Sequence, residues 1–217
     1  MKLLNRLERK IGRFALPNLM FFIVICQFAI FAAQLIFPEK DLTGLLMLDR
    51  GAILNGQVWR LISFIFIPPS SSLIFTGFSL YFYYMIGSAL EGQWGSFKFN
   101  VYYLMGMIGT IAAAFITGYG INTYLNFSLF FAFALLFPNF EVRLFFMIPI
   151  KVKYLAVFDA VFFIVMFIRG DWPIRFSIIA ALINFFLFFG GDFIRFIKDQ
   201  IYYSKTRRNF KNTMNKR

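Results

Sequence analysis

Glu91 lies in the stretch Gly87-Ser-Ala-Leu-Glu91-Gly-Gln-Trp-Gly95, which closes a long apolar run. The spacing G-x-x-x-E-x-x-x-G sets Gly87, Glu91 and Gly95 at i, i+4 and i+8, on one face of a helix. Two glycines there admit a neighbouring helix, and a carboxylate between them hydrogen-bonds across the contact. Packing and hydrogen bonding are therefore the expected role of Glu91. The chain contains no histidine, which removes the commonest general base and the commonest metal ligand. Cys26 is the single cysteine and lies in the first apolar block. It reads as a small buried hydrophobe. One cysteine without histidine builds neither an intramolecular disulfide nor a usual zinc site, so no metal and no cofactor are expected. Asp159 is an ionisable residue inside an apolar block, which costs ~2.5–3.5 kcal/mol on insertion scales. It is expected to hydrogen-bond into the bundle, to Asn184 or to a tyrosine. An aspartyl mechanism needs a second membrane aspartate, and Asp192 stands only at the end of a block.

The elements that must position these groups are written in the composition. The chain has 217 residues, 60% of them hydrophobic, and 34 are phenylalanine; mean hydropathy is +0.71. Soluble domains are usually about 45–50% apolar. The apolar residues also come in long blocks with short polar punctuation, the pattern of a polytopic helical membrane protein. Six spans are expected, at about 17–37, 71–92, 97–118, 124–137, 154–168 and 174–189. The fourth and fifth look short. The apolar piece 142–150 ends in Pro149 and is followed by Lys151 and Lys153; it reads as an interfacial turn or a helix end. The first loop, 38–70, mixes apolar and polar residues and suits short amphipathic helices in the membrane surface. Pro68-Pro69 ends it, because proline does not continue a helix. Gly106, Thr110, Ala113 and Thr117 form a small-residue packing face on the third span.

The formal net charge is +12, carried mainly at the two ends. Cytoplasmic flanks of membrane spans explain this better than nucleic-acid binding, and no nucleic-acid partner is expected. With both ends inside, the inner segments carry 5, 1, 3 and 8 Lys or Arg, and the outer loops carry 3, 0 and 2. That asymmetry is a positive-inside bias. The chain therefore divides into a basic N-terminal segment (1–16), a six-span domain (17–192) and a basic tail (193–217). The tail is expected to lie on anionic lipid. The basic start followed by a spanning-length apolar run, with no small-residue cleavage site, does not read as a cleavable signal. A multi-pass protein of the cell membrane is expected.

Taken together, Trp59-Arg60 preceded by Gly56-Gln57, the Gly87-Glu91-Gly95 motif, the long first loop with embedded helices and the six-span plan resemble the rhomboid superfamily of intramembrane serine proteases and their inactive relatives. The resemblance covers about 48–191. It implies an all-α, six-helix membrane bundle with interfacial helices in the first loop. It also implies a catalytic serine at the top of the fourth span, in G-x-S-G, and a histidine in the sixth. The matching positions here are Ser128, in Asn126-Phe127-Ser128-Leu129, and Asn184. The family's oxyanion-region histidine and asparagine correspond to Ser72 and Thr76. All four positions depart from the pattern together. A serine hydroxyl is a poor nucleophile without an adjacent base, and losing the base costs on the order of 10⁶ in turnover. Phe127 and Leu129 crowd the donors that would hold an oxyanion. The resemblance thus implies a pseudoprotease that binds transmembrane segments of client proteins near the second and fifth spans. Trp59 and Arg60 read as interface anchors, the guanidinium bonding loop carbonyls or phosphates. Two rival readings are an active protease using Ser128 with an unconventional base, and a small transporter or structural membrane protein. No lysine lies in the membrane interior to serve a serine–lysine dyad, Lys98 standing at the inner end of the third span. A transport path would need more polar lining than Asp159, Asn184 and a few hydroxyls supply.

Overall fold

The computed structural model of the chain describes residues 7–10, 12–70, 72–144 and 148–190. The basic tail, Gly191 and Asp192 lie outside the described residues. Long apolar blocks cannot leave backbone amides unpaired in hydrocarbon, so they close into helices. The long helices are α1 (Leu19–Ile36), α5 (Leu73–Trp94), α6 (Ser96–Thr117), α7 (Thr123–Leu136), α8 (Val152–Arg169) and α9 (Trp172–Gly190). Each of the six apolar blocks folds as a helix within two residues of its expected ends. Four segments are long and apolar enough to cross a membrane: Gly12–Ile36, which contains α1, then α5, α6 and α9. The protein is a mostly helical, membrane-embedded bundle.

The two remaining helices differ for physical reasons. At 14 residues, α7 rises only ~21 Å, short of the ~30 Å hydrocarbon core. Eight of those residues are buried, because α7 is surrounded by α5, α6 and α8. The 18 residues of α8 include Lys153, Asp159 and Arg169, which lower its hydropathy.

The first loop holds three short helices, α2 (Leu42–Leu46), α3 (Arg50–Leu54) and α4 (Arg60–Ser63), followed by a 3₁₀ turn over Phe64–Phe66. Asp41 caps α2 by accepting from the Gly44 amide, and Asp49 caps α3 by accepting from the Ala52 amide. Both satisfy amides that a helix start leaves unpaired. A two-residue strand, β1 (Leu48–Asp49), pairs antiparallel with β2 (Tyr119–Gly120), Leu48 opposite Gly120. This stitches the first loop to the α6–α7 connection.

Residues 142–150 do not form a helix end. β3 (Glu141–Leu144) and β4 (Ile148–Lys151) make an antiparallel hairpin, with Glu141 opposite Lys151 and Arg143 opposite Pro149. Pro149 lacks an amide proton, so it fits an edge position of a two-stranded hairpin. The core runs through the middle of the bundle: Met20 and Ile23 of α1, Ile86 and Leu90 of α5, Phe99, Tyr102 and Tyr103 of α6, and Leu125, Leu129 and Phe133 of α7.

Candidate functional site

Arg60 is buried at the start of α4. Its Nη1 donates to the carbonyls of Gly44 (2.6 Å) and Met47 (2.9 Å), and its Nε donates to Gln57 Oε1 (2.8 Å). The Ser63 hydroxyl adds a bond to the Leu46 carbonyl (3.1 Å). One guanidinium fork thus gathers the end of α2 against α4. Its neighbour Trp59 is half exposed, at 52%, so the pair divides into a buried clamp and a surface ring.

The Gly87-Glu91-Gly95 motif resolves into three separate roles. A Cβ at Gly87 would collide with Met20 Cβ and Cγ on α1, so glycine is what allows α1 and α5 to touch. Glu91 Oε1 accepts from the Asn18 amide (2.8 Å) and from the Ser96 hydroxyl (2.6 Å). It therefore ties the starts of α1 and α6 to the end of α5. Gly95 corrects the expectation of a second close approach. It has φ +83 and joins α5 to α6, a conformation open to glycine and costly for other residues. An ion pair from Lys98 Nζ to Glu8 Oε2 (3.4 Å) lies beside this corner.

Ser128 and Asn184 are both buried, at 1% and 3% exposure. The Ser128 hydroxyl donates to the Leu125 carbonyl of its own helix (2.8 Å). Asn184 Nδ2 donates to the Tyr102 carbonyl (3.4 Å). The Tyr102 hydroxyl donates to the Ser128 carbonyl (2.9 Å). The two positions therefore meet on α6 through one tyrosine, without a bond between them. Gly106 leaves room for this, since a Cβ there would strike Leu125 and come within 2.9 Å of Asn184 Nδ2.

Thr76 is buried, and its hydroxyl donates to the Ser70 carbonyl (2.8 Å). Ser72 is exposed at the start of α5 and its amide donates to Ser70 Oγ (3.1 Å). Both hold the turn entering α5. Asp159 is half-buried on α8. Among the described residues no hydrogen bond reaches its carboxylate, and Asn184 bonds Tyr102 instead, which corrects the expected pairing. The Tyr83 hydroxyl lies beside the Asn126 side chain and within electrostatic reach of Asp159.

Several buried amides were not singled out from the sequence. Gln27 Nε2 donates to the Ile65 carbonyl (2.8 Å), and Asn122 Nδ2 donates to the carbonyls of Ile65 (3.1 Å) and Ile67 (2.9 Å). Together they hold the 3₁₀ turn before Pro68. The signal for Gln27 was present: an amide in the middle of an 18-residue apolar helix needs a partner. Asn100 Nδ2 likewise donates to the Leu16 carbonyl (3.1 Å). An open cleft of about 560 Å³ lies at the far end of α1, lined by Phe31, Gln34, Asp41 and Pro68 among others. Neither Ser128 nor Asn184 lines it.

Around Ser128, the serine hydroxyl, the Tyr102 hydroxyl and Asn184 Nδ2 each donate to a backbone carbonyl, while Asn126 Oδ1 and Asn184 Oδ1 are buried without a hydrogen-bond partner among the described residues. Among the described residues no basic group touches the Ser128 hydroxyl, whose proton is donated to the Leu125 carbonyl. No protein-family model matches the chain, and no curated protein matches its sequence.

Proposed function

We propose that this is a rhomboid-like, six-span protein of the cell membrane with both ends cytoplasmic, and that it binds transmembrane segments of other membrane proteins without cleaving them. The observation that carries the reading is the state of Ser128: buried, bonded to Leu125 within its own helix, and, among the described residues, bonded to no base. Alongside it, the structural pieces of the resemblance are in use, with Arg60 clamping the first loop and Glu91 locking the α1–α5–α6 corner. A scaffold kept in working order around an idle hydroxyl suits a binder better than a hydrolase.

The binding surface is the side of the bundle between α5 and α8. α8 packs on α7 and on strand β4 of the hairpin that precedes it. Only Val152 and Phe163 of its 18 residues are buried, leaving Phe158, Val161 and Phe162 on the outside. On α5, Ile74 and Tyr81 are exposed. Photo-cross-linkers at Tyr81 and Phe158 are expected to capture membrane proteins that a cross-linker at Ile108, exposed on α6, does not. Equal capture at all three positions, or none, would count against the reading.

A further inference from the structure

Asp159 is the eighth residue of α8, so it stands ~10 Å along the helix from its start at 1.5 Å per residue. A carboxylate at that depth is expensive, and such residues are ordinarily paired. Here, among the described residues, it has neither an ion pair nor a hydrogen bond, and it remains half-buried rather than enclosed. Phe163, one turn further along the same face, is seated against Tyr124, Phe127 and Phe131 of α7. Asp159 therefore sits at the margin of the α7–α8 contact. Beyond it lie the exposed apolar side chains of Val157, Phe158, Val161 and Phe162.

An apolar face with one unpaired anion at its edge is complementary to an apolar helix with one cation. We infer that Asp159 is the docking point for a transmembrane helix of another protein that carries a lysine or arginine within its span. A second copy of this chain does not supply that cation. α1 and α5 hold no Lys or Arg, and those of α6, α8 and α9 stand near helix ends: Lys98, Lys153, Arg169 and Arg175. A lipid headgroup has the wrong depth. The inference rests on the binding reading above and specifies its partner: apolar contacts along α8 give the helix its seat, and the carboxylate selects for positive charge.

The test uses the full chain reconstituted in phosphatidylcholine vesicles. The probes are single-span Leu/Ala helices of about 21 residues, labelled for energy transfer, with Lys, Leu or Glu at the centre. The Lys helix is expected to associate about tenfold more tightly than the Leu helix, a difference of ~1.4 kcal/mol. Asp159→Asn, which keeps the side-chain shape, is expected to abolish that preference. Asp159→Lys is expected to transfer it to the Glu helix, an outcome that misfolding does not produce. Equal association of Lys and Leu helices with the wild-type chain overturns this inference and leaves the binding reading standing. Retention of the Lys preference in Asp159→Asn also overturns it. Failure of every helix to associate overturns both.

Discussion

At the scale of single residues, the molecule separates side chains that hold the scaffold from side chains that would do chemistry. Arg60 and Glu91 each join backbone segments distant in sequence, through bonds of 2.6–2.9 Å. Hydrogen bonds to charged groups contribute about 1.5–3 kcal/mol each. Replacing Arg60 with Met leaves the Gly44 and Met47 carbonyls without a donor, and is expected to cost ~2–3 kcal/mol in detergent unfolding titrations. Arg60→Lys is expected to recover only part of this, because an ammonium lacks the planar fork. Glu91→Gln keeps an oxygen acceptor for Asn18 and Ser96 and is expected to cost under about 1 kcal/mol, whereas Glu91→Ala costs ~1–2 kcal/mol. Equal costs for the two Glu91 variants would show that the carboxylate's charge, not its acceptor geometry, is what matters. Ser128 and Asn184 contrast with these residues. The Ser128 hydroxyl and Asn184 Nδ2 each donate to a nearby backbone carbonyl, at Leu125 and Tyr102.

At the scale of elements, the α1–α5 contact is governed by one missing side chain. Gly87→Ala forces a Cβ onto Met20 and is expected to destabilise by ~1–3 kcal/mol, the usual cost of overpacking. Gly92, in the same helix, has nothing within 4 Å of its would-be Cβ. Gly92→Ala is expected to be neutral or stabilising by up to ~1 kcal/mol, the helix-propensity difference. Similar losses in both variants would place the defect in helix propensity and not in the contact. These elements were unequally legible. Helix ends were readable because apolar blocks stop at prolines, glycines and charges such as Gly95, Gly118 and Gly170. The hairpin was not, because the alternation of Glu141-Val142-Arg143-Leu144 lasts only four residues before the apolar run that follows, and Pro149 argues against a strand. The role of Gly95 was misread because i+8 spacing looks the same whether a glycine faces a neighbour or ends a helix. Tyr102, which joins Ser128 to Asn184, was hidden among 10 tyrosines.

At the scale of the whole molecule, the six helices and the charge asymmetry make one topological statement. In the proposed arrangement, the α5–α6 corner and the hairpin face the cytoplasm, while the first loop and the α6–α7 and α8–α9 connections face outward. In a Cys26→Ser background, cysteines at Gln93 and Asn139 are expected to resist an impermeant maleimide on intact cells, and cysteines at Glu39, Tyr119 and Asp171 to react. Mixed labelling within either group would break the six-span plan. The same architecture explains why the bundle holds a buried serine safely. α7 is short and encased, and the Ser128 hydroxyl and carbonyl on it are both engaged, the hydroxyl by the Leu125 carbonyl and the carbonyl by the Tyr102 hydroxyl.

The central claim is that Ser128 is chemically idle. The most direct measurement is reaction of the purified, reconstituted protein with a fluorescent fluorophosphonate, beside Ser128→Ala. The account predicts no labelling of either protein. Labelling of the wild-type chain that disappears in Ser128→Ala would reveal an activated hydroxyl and contradict it.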